Sequence, residues 1–569
     1  MATTTQRLSA EMQNAIDQAE GAAQGLLGAN IVLGATPKDF LDSLQRFAKV
    51  LAVNPRIVAK KQAQLSGELV RIMLGKSHIY PPPKDLRFKH PIWQKNGYYR
   101  RVMQSYLVWR KSLFDILASA DADERDKERA KFILMQITAA AAPTNNPLGN
   151  PGFVDSLVKS KGKSVLKGAQ NFWHDMRYNH RMPRQVDKEA FSVGKDLAAS
   201  PGAVVFRNEV CEVIQYQPAT GKVYPKPVLI VPPQINKFYI VDLAPDKSYV
   251  KYATEKGLQV FVISWRNPTA EHRDWDLSTY VNTVIEAIDV VRSISKQESI
   301  NLMGACAGGI TSIATLAYMQ NQGIQEKVDK LSLLVTLVDV EQPTLIGLFA
   351  SKPAMRAARQ HVQRQGFVDG AEMGRVFAWL RPADLVWLFF ANNYIMGNKP
   401  PAFDFLFWNN DSTRLPAGFH GDCIDLFEGN PLVTGNGLSV NGESVNPKAV
   451  NRDAFIVSGI KDHIVPWRSS YAATQVLSGK KRFVLGTSGH IQAVVTPPGK
   501  KNASYYVNED YVADSDEWLH NAELREGTWW DAWFDWITDN QEKTKAAPKK
   551  LGNASYPPGD LAPGLYVFG

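Results

Sequence analysis

Hydrophobic and polar positions give the chain two textures. Up to about Pro201, apolar residues recur at three- and four-residue steps over 39–53, 100–117 and 128–140, which predicts helices. The run through Ala142, Pro143, Asn145, Asn146, Pro147, Gly149 and Pro151 breaks that period and predicts a loop. Nothing in this segment offers a chemical motif. Residues 1–200 are therefore expected to form a mainly helical N-terminal domain used for packing or interaction.

From Ala203 the texture changes to short β-branched runs: 203–206, 210–216, 227–231, 258–264, 300–303, 331–338, 454–458 and 482–486. Helical periodicity fills most of the spaces between them, as over 279–294. Apolar strands alternating with helices predict βαβ units and a parallel sheet covered on both faces, the α/β class. The rhythm is interrupted over about 341–452, where Trp379, Trp387, Phe389, Phe390, Tyr394, Phe403, Phe405, Phe407 and Trp408 crowd together. An insertion there is placed to act as a cap, with Phe407 and Trp408 as candidates for the wall of a substrate pocket. The alternative is that these rings form the insertion's own core. Trp529, Trp530, Trp533 and Trp536 predict an amphipathic helix closing one face of the sheet. The second domain is thus expected to span 201–569, cap included.

Charge and cysteine content narrow the partners. The net charge of +9 is spread over 569 residues without a long Lys or Arg run, which argues against nucleic acid. Such a surplus suits solubility or an anionic substrate. Cys211, Cys306 and Cys423 are widely separated and odd in number, so neither a disulfide framework nor a metal cluster is expected. The first 28 residues are polar, without a secretory pattern, and apolar stretches such as 385–390 are far short of a membrane span. These features predict a reducing, cytoplasmic compartment in which a free thiol persists.

The segment Gly304-Ala305-Cys306-Ala307-Gly308-Gly309 carries the chemistry. It follows a predicted strand and opens a predicted helix, matching the G-x-S-x-G nucleophile elbow of α/β-hydrolases with cysteine in place of serine. The turn is tight, and side chains at Gly304 or Gly308 would collide with the neighbouring strand and helix. The helix that follows aims its N-terminal dipole at the thiol, which favours thiolate. The Ala307 N–H is one candidate oxyanion donor. The second should come from the loop after the third strand, where Pro232 and Pro233 lack N–H groups and Ile235 is the candidate.

This fold places an acid after a later strand and a histidine after the last one. The strand at 454–458 leads to Asp462, and the strand at 482–486 leads to His490. Asp462 would orient the imidazole, and His490 would take the proton of Cys306. Asp339, at the end of the sixth strand, is the alternative acid. His463 is adjacent to Asp462 but does not follow the last strand. Cys211 and Cys423 read as buried structural thiols.

Gly304-Ala-Cys306-Ala-Gly-Gly309 resembles the cysteine lipase box of polyhydroxyalkanoate synthases. The segments Pro232-Pro-Gln-Ile-Asn-Lys-Phe-Tyr239, Ser264-Trp-Arg-Asn-Pro268, Phe407-Trp-Asn-Asn-Asp411, Asp462-His-Ile-Val-Pro-Trp467 and Ser488-Gly-His490-Ile-Gln492 agree, and the similarity covers nearly the whole chain. The resemblance implies polymerisation of (R)-3-hydroxyacyl-CoA with release of CoA, the polyester growing on Cys306 with His490 and Asp462 completing the triad. It implies no cofactor, since the CoA thioester is the substrate. It further implies a homodimer at cytoplasmic polyester granules, with granule-associated proteins as further partners. Gly-Ala-Cys at the elbow and Pro-Pro-Gln after the third strand look most like the class II, medium-chain type. Two rivals stay open: a thioesterase or esterase of the same fold, and a non-catalytic scaffold coating a lipid or polyester surface.

Overall fold

A computed structural model describes residues 45, 48, 51–83, 85–342, 352–541 and 543–569. The chain divides into two units. One comprises Met1–Asp187, Leu348–Ala358 and Ala371–Phe403; the other comprises Lys188–Gly347, Arg359–Gly370 and Asp404–Gly569. The expected boundary near 200 thus falls at Asp187, and the stretch 341–452 is not one body but is shared between the two units.

The first unit is built on helices α1 (Pro55–Met73), α2 (Gly97–Ser119), α3 (Glu124–Ala140), α4 (Pro151–Lys159) and α5 (Lys163–Tyr178). The predicted 100–117 and 128–140 helices lie inside α2 and α3, while the one at 39–53 falls mostly outside the described residues. Side chains start α2 and α3. Asn96 accepts the amides of Tyr98 and Tyr99 at α2, and Asp123 accepts those of Arg125 and Asp126 at α3. Phe88, Trp93, Met103, Tyr106 and Ala142 form a small core, where the buried Tyr106 hydroxyl donates to the Thr138 carbonyl at 2.7 Å.

The second unit holds a ten-stranded sheet. Its strands are β1 (Gly202–Arg207), β2 (Cys211–Tyr216), β3 (Val228–Val231), β4 (Val260–Trp265), β5 (Ile300–Ala305), β6 (Val328–Leu334), β7 (Asp453–Gly459), β8 (Lys481–Gly486), β9 (Ser504–Val507) and β10 (Glu523–Glu526). They run in the order β1-β2-β4-β3-β5-β6-β7-β8-β9-β10. The six from β4 to β8 are parallel, and the pairs at either end are antiparallel. The expectation of a wholly parallel sheet holds only for this centre, whose strands are almost entirely buried. The sixth strand, expected over 331–338, ends at Leu334; Val335 takes φ +45° while its N–H still donates to the Val457 carbonyl of β7 at 2.8 Å.

Both sheet edges are protected against pairing with another chain. At β1, Val204 exchanges backbone hydrogen bonds with Gly559 and Asp560 of the C-terminal segment, and the buried Glu212 accepts the Leu565 and Tyr566 amides. At the other edge β10 is fully exposed, and three of its four residues are charged. Helices α6 (Leu277–Ser295), α7 (Ala307–Asn321), α8 (Ala417–Gly429), α9 (His490–Val495) and α10 (Trp529–Thr538) belong to this unit. Phe419 of α8 packs edge-on against Tyr280 of α6 at 4.9 Å, so this part of the 341–452 stretch is core. In α10, Trp529, Trp530 and Trp533 are buried, as an amphipathic helix requires.

Candidate active site

Register brings the ends of the parallel strands level. Val231 pairs with Gly304, Ala305 with Leu334, and Gly459 with Gly486. The three residues singled out on strand order lie just beyond these pairs: Cys306 after β5, Asp462 after β7 and His490 after β8.

Cys306 has φ +51° and ψ −119°, a conformation that costs a residue with a β-carbon energy and is characteristic of functional turns. Its N–H is tied to the Leu334 carbonyl at 2.8 Å, and its own carbonyl accepts the Gly309 amide at 3.0 Å. The glycines permit the close approach. A β-carbon on Gly304 would lie 2.6 Å from the Gly309 Cα, and one on Gly308 would overlap the Val231 and Pro232 carbonyl oxygens. Gly309 has the same constraint, unnoticed in the sequence: a β-carbon there would overlap the Thr336 side chain. The half-buried Cys306 sits at the start of α7, where the amides of the first two helical residues, Ala307 and Gly308, have no intrahelical acceptor. Ile235 is half-buried in the turn after β3. That turn is held over α7 by Gln234, whose side chain donates to Thr311 Oγ1 at 2.9 Å.

Asp462 and His490 are joined at 2.6 Å between Oδ2 and Nδ1, with the carboxylate fully buried. The other carboxylate oxygen accepts the Ile464 and Val465 amides, both at 2.9 Å. The two loops are laced together, Ile460 N–H to Gly486 O at 2.9 Å and Lys461 N–H to Ser488 O at 3.0 Å. Behind the histidine, the Trp530 indole N–H donates to the Val494 carbonyl of α9 at 3.0 Å. The tryptophan helix therefore braces the short helix that begins with His490, a role its periodicity did not reveal.

Burial opposes a charged imidazole. The charge and hydrogen bond of Asp462, joined by a hydrogen bond shared with Cys306, overcome it and push the His490 imidazole up to about 10. With Nδ1 committed to the carboxylate, Nε2 is the nitrogen left for the thiol. This arrangement can take a proton from sulfur and keep it.

Asp339 is not part of this pairing. Its carboxylate accepts from the Glu341 amide, Asn430 Nδ2 and Gln342 Nε2, so it shapes the loop after β6. His463 is half-buried beside Asp462, whose oxygens are taken up by His490, Ile464 and Val465. Burial pushes the Cys211 thiol well above its ordinary range. Burial also pushes Cys423 up to about 12, with Asp422 and Cys306 adding, so both thiols stay protonated at neutral pH. Trp408 is 5% exposed in the main core, and its indole N–H donates to the Lys237 carbonyl at 2.8 Å. It is a packing residue, the alternative the sequence offered for these rings. Phe407 is only partly buried, meeting Phe191 edge-on at 5.6 Å; like Cys306, it packs against the same core. Among the described residues no group of three or more His, Cys, Asp or Glu side chains is placed to hold a metal ion. No described helix is long and apolar enough to cross a membrane.

The chain is similar to known proteins over nearly its whole length. Residues 84–253 match a family described as the poly-beta-hydroxybutyrate polymerase N-terminus, and residues 227–497 match the alpha/beta hydrolase fold. It is 44% identical to poly(3-hydroxyalkanoate) polymerase 2 of Ectopseudomonas oleovorans, covering 95% of this chain and 96% of that one. It is 43% identical to polymerase 1 of the same organism, covering 96% and 97%. Identity to the poly(3-hydroxyalkanoate) polymerase subunit of Cupriavidus necator is 34%, covering 98% and 94%.

Proposed function

The chain belongs to the poly(3-hydroxyalkanoate) polymerase family, and from that premise we propose that it polymerises (R)-3-hydroxyacyl-CoA through acyl thioesters on Cys306. The observation that carries the reading is the 2.6 Å Asp462–His490 pair, with Cys306 on its strained elbow among the groups that raise the imidazole. His490 takes the thiol proton, and the Cys306 sulfur attacks the thioester carbonyl. The oxyanion is held by the Ala307 N–H and one from the turn at Ile235. The bond to the CoA sulfur breaks, and His490 returns the proton to that leaving sulfur. One thioester has replaced another, so the acyl group stays activated.

In the second stage His490 accepts the proton of a 3-hydroxyl group, whose oxygen attacks the Cys306 thioester. An oxoester forms, and the proton returns to the cysteine. Because the oxoester is the more stable product, growth runs forward. Water would compete with the hydroxyl at both stages, so the acyl enzyme must be shielded from it. The CoA thioester is substrate and CoA is product; no cofactor enters.

The higher identity to the two Ectopseudomonas oleovorans polymerases supports a class II enzyme taking medium-chain monomers. We place the active enzyme at cytoplasmic polyester granules as a homodimer. Incubating purified protein with short- and medium-chain (R)-3-hydroxyacyl-CoA, followed by product analysis, tests the substrate class. Medium-chain polyester is expected, and preference for four-carbon monomers would refute it. If dimerisation assembles the active form, CoA release shows a lag that shortens as enzyme concentration rises; a concentration-independent course argues against it.

A further inference from the structure

Of the 21 large apolar side chains that stand exposed among the described residues, eight lie between Leu148 and Tyr178. Five of the eight lie on α5: Val165, Leu166, Phe172, Trp173 and, at its last position, Tyr178. Trp173 is 71% exposed and Leu166 67%. Every other tryptophan in the chain is buried or half-buried.

At about 100° per residue, the side chains of α5 sort into three arcs. Ser164, Gly168 and Asp175 form the buried arc, where a β-carbon on Gly168 would overlap the Tyr394 carbonyl oxygen. Phe172, Val165, Ala169, Trp173 and Leu166 share a second arc, joined by the half-buried Met176. The third arc begins beside Leu166 and carries the exposed cations Arg177, Lys163 and Lys167. No carboxylate among the described residues pairs with any of these three cations.

An apolar arc bordered by cations without carboxylate partners, with Arg177 lying over the Tyr178 ring, on a helix not long and apolar enough to cross a membrane, has the form of an interfacial helix. We propose that α5 docks on an anionic phospholipid surface, burying Trp173, Leu166 and Val165 among the acyl chains while Lys163, Lys167 and Arg177 meet the phosphates. Charge selects this occupant. An uncharged polyester surface offers the cations nothing, and pairing with a second copy of α5 would bring like-charged borders together. Long Lys and Arg stems allow the charge to reach the headgroups while the apolar arc sits deeper. The inference is independent of the acyl-transfer reading, because it concerns residues remote in sequence from Cys306, Asp462 and His490.

The test is co-sedimentation of the full chain with vesicles of phosphatidylcholine containing 30% phosphatidylglycerol, with pure phosphatidylcholine vesicles and polyester particles as comparisons. Binding to the anionic vesicles should exceed that to neutral ones at least tenfold and weaken several-fold between 0.05 and 0.5 M salt. Leu166→Gln combined with Trp173→Gln should lower vesicle binding at least tenfold, as should Lys163→Gln, Lys167→Gln and Arg177→Gln together. CoA release from soluble substrate should be unchanged in both variants, which also establishes that they fold. Equal binding to neutral and anionic vesicles, retention only by polyester particles, or unchanged vesicle binding in both variants would overturn the proposal. So would loss of self-association in the variants without vesicle binding in the wild type.

Discussion

Replacing Asp462 with Asn isolates what the carboxylate does for His490. One oxygen accepts the Ile464 and Val465 amides, and the other meets the imidazole. The asparagine oxygen must stay with the two amides, since an NH2 group there would face two donors. The NH2 group is therefore directed at His490 Nδ1 and donates to it, so the proton moves to Nε2. The lone pair that should receive the thiol proton is lost, and burial, no longer opposed by a negative charge, draws the imidazole down from about 10. In a serine triad the same replacement costs about four orders of magnitude in rate, and a loss of about 10³ to 10⁴ in CoA release is expected here. The two amide bonds survive, so the variant should remain folded.

The coupling also gives stability a pH dependence. The raised imidazole contributes fully below about pH 6.5, its ordinary value, and that contribution is lost as the pH rises through about 10. Between those limits wild-type Tm should fall more steeply than that of the variant. CoA release by both proteins and by His463→Gln, which should retain most activity, is the decisive comparison. A loss below tenfold in Asp462→Asn, or a greater loss in His463→Gln, would refute this placement of the acid.

Cys306→Ser should lose nearly all CoA release while keeping wild-type circular dichroism, because an alkoxide is harder to generate and its ester is a poorer acyl donor. Gly309→Ala should destabilise the protein in thermal unfolding, its new methyl meeting Thr336; an unchanged Tm would show that the elbow has slack. Trp408→Ala should cost about 3–5 kcal/mol of stability as a buried ring is removed. Phe407→Ala should lower Tm less than Trp408→Ala, because its ring is only partly buried, and shift chain-length preference, measured by product analysis; unfolding there would make Phe407 a packing residue as well.

The candidate site was legible because strand-end positions are written in local sequence. Buried parallel strands are continuous apolar runs, and the residues just after them are set by fold topology rather than by long-range packing. The edge strands were not legible. Ser504–Val507 is only partly buried and Glu523–Glu526 is charged and exposed, so neither carries the apolar signature of a central strand. The contact of α10 with the His490 helix was equally hidden, because it rests on indole hydrogen bonds to the Ala493 and Val494 carbonyls. Aromatic density at 341–452 suggested a single cap, yet Phe419 and Trp408 pack into the second unit while 371–403 belongs to the first. Composition cannot tell a pocket wall from a core. Only the partner of each ring decides it.

The central claim is that Cys306 carries an acyl chain that passes to a hydroxyl rather than to water. The direct measurement follows purified enzyme with a medium-chain (R)-3-hydroxyacyl-CoA, comparing CoA and free hydroxy acid released while weighing the proteolytic peptide that contains Cys306. CoA release with little free acid, a Cys306 peptide heavier by hydroxyacyl units and growing turbidity from insoluble polyester are the expected results. One free hydroxy acid per CoA, with an unmodified Cys306 peptide and no polymer, would contradict the account and make the protein a hydrolase.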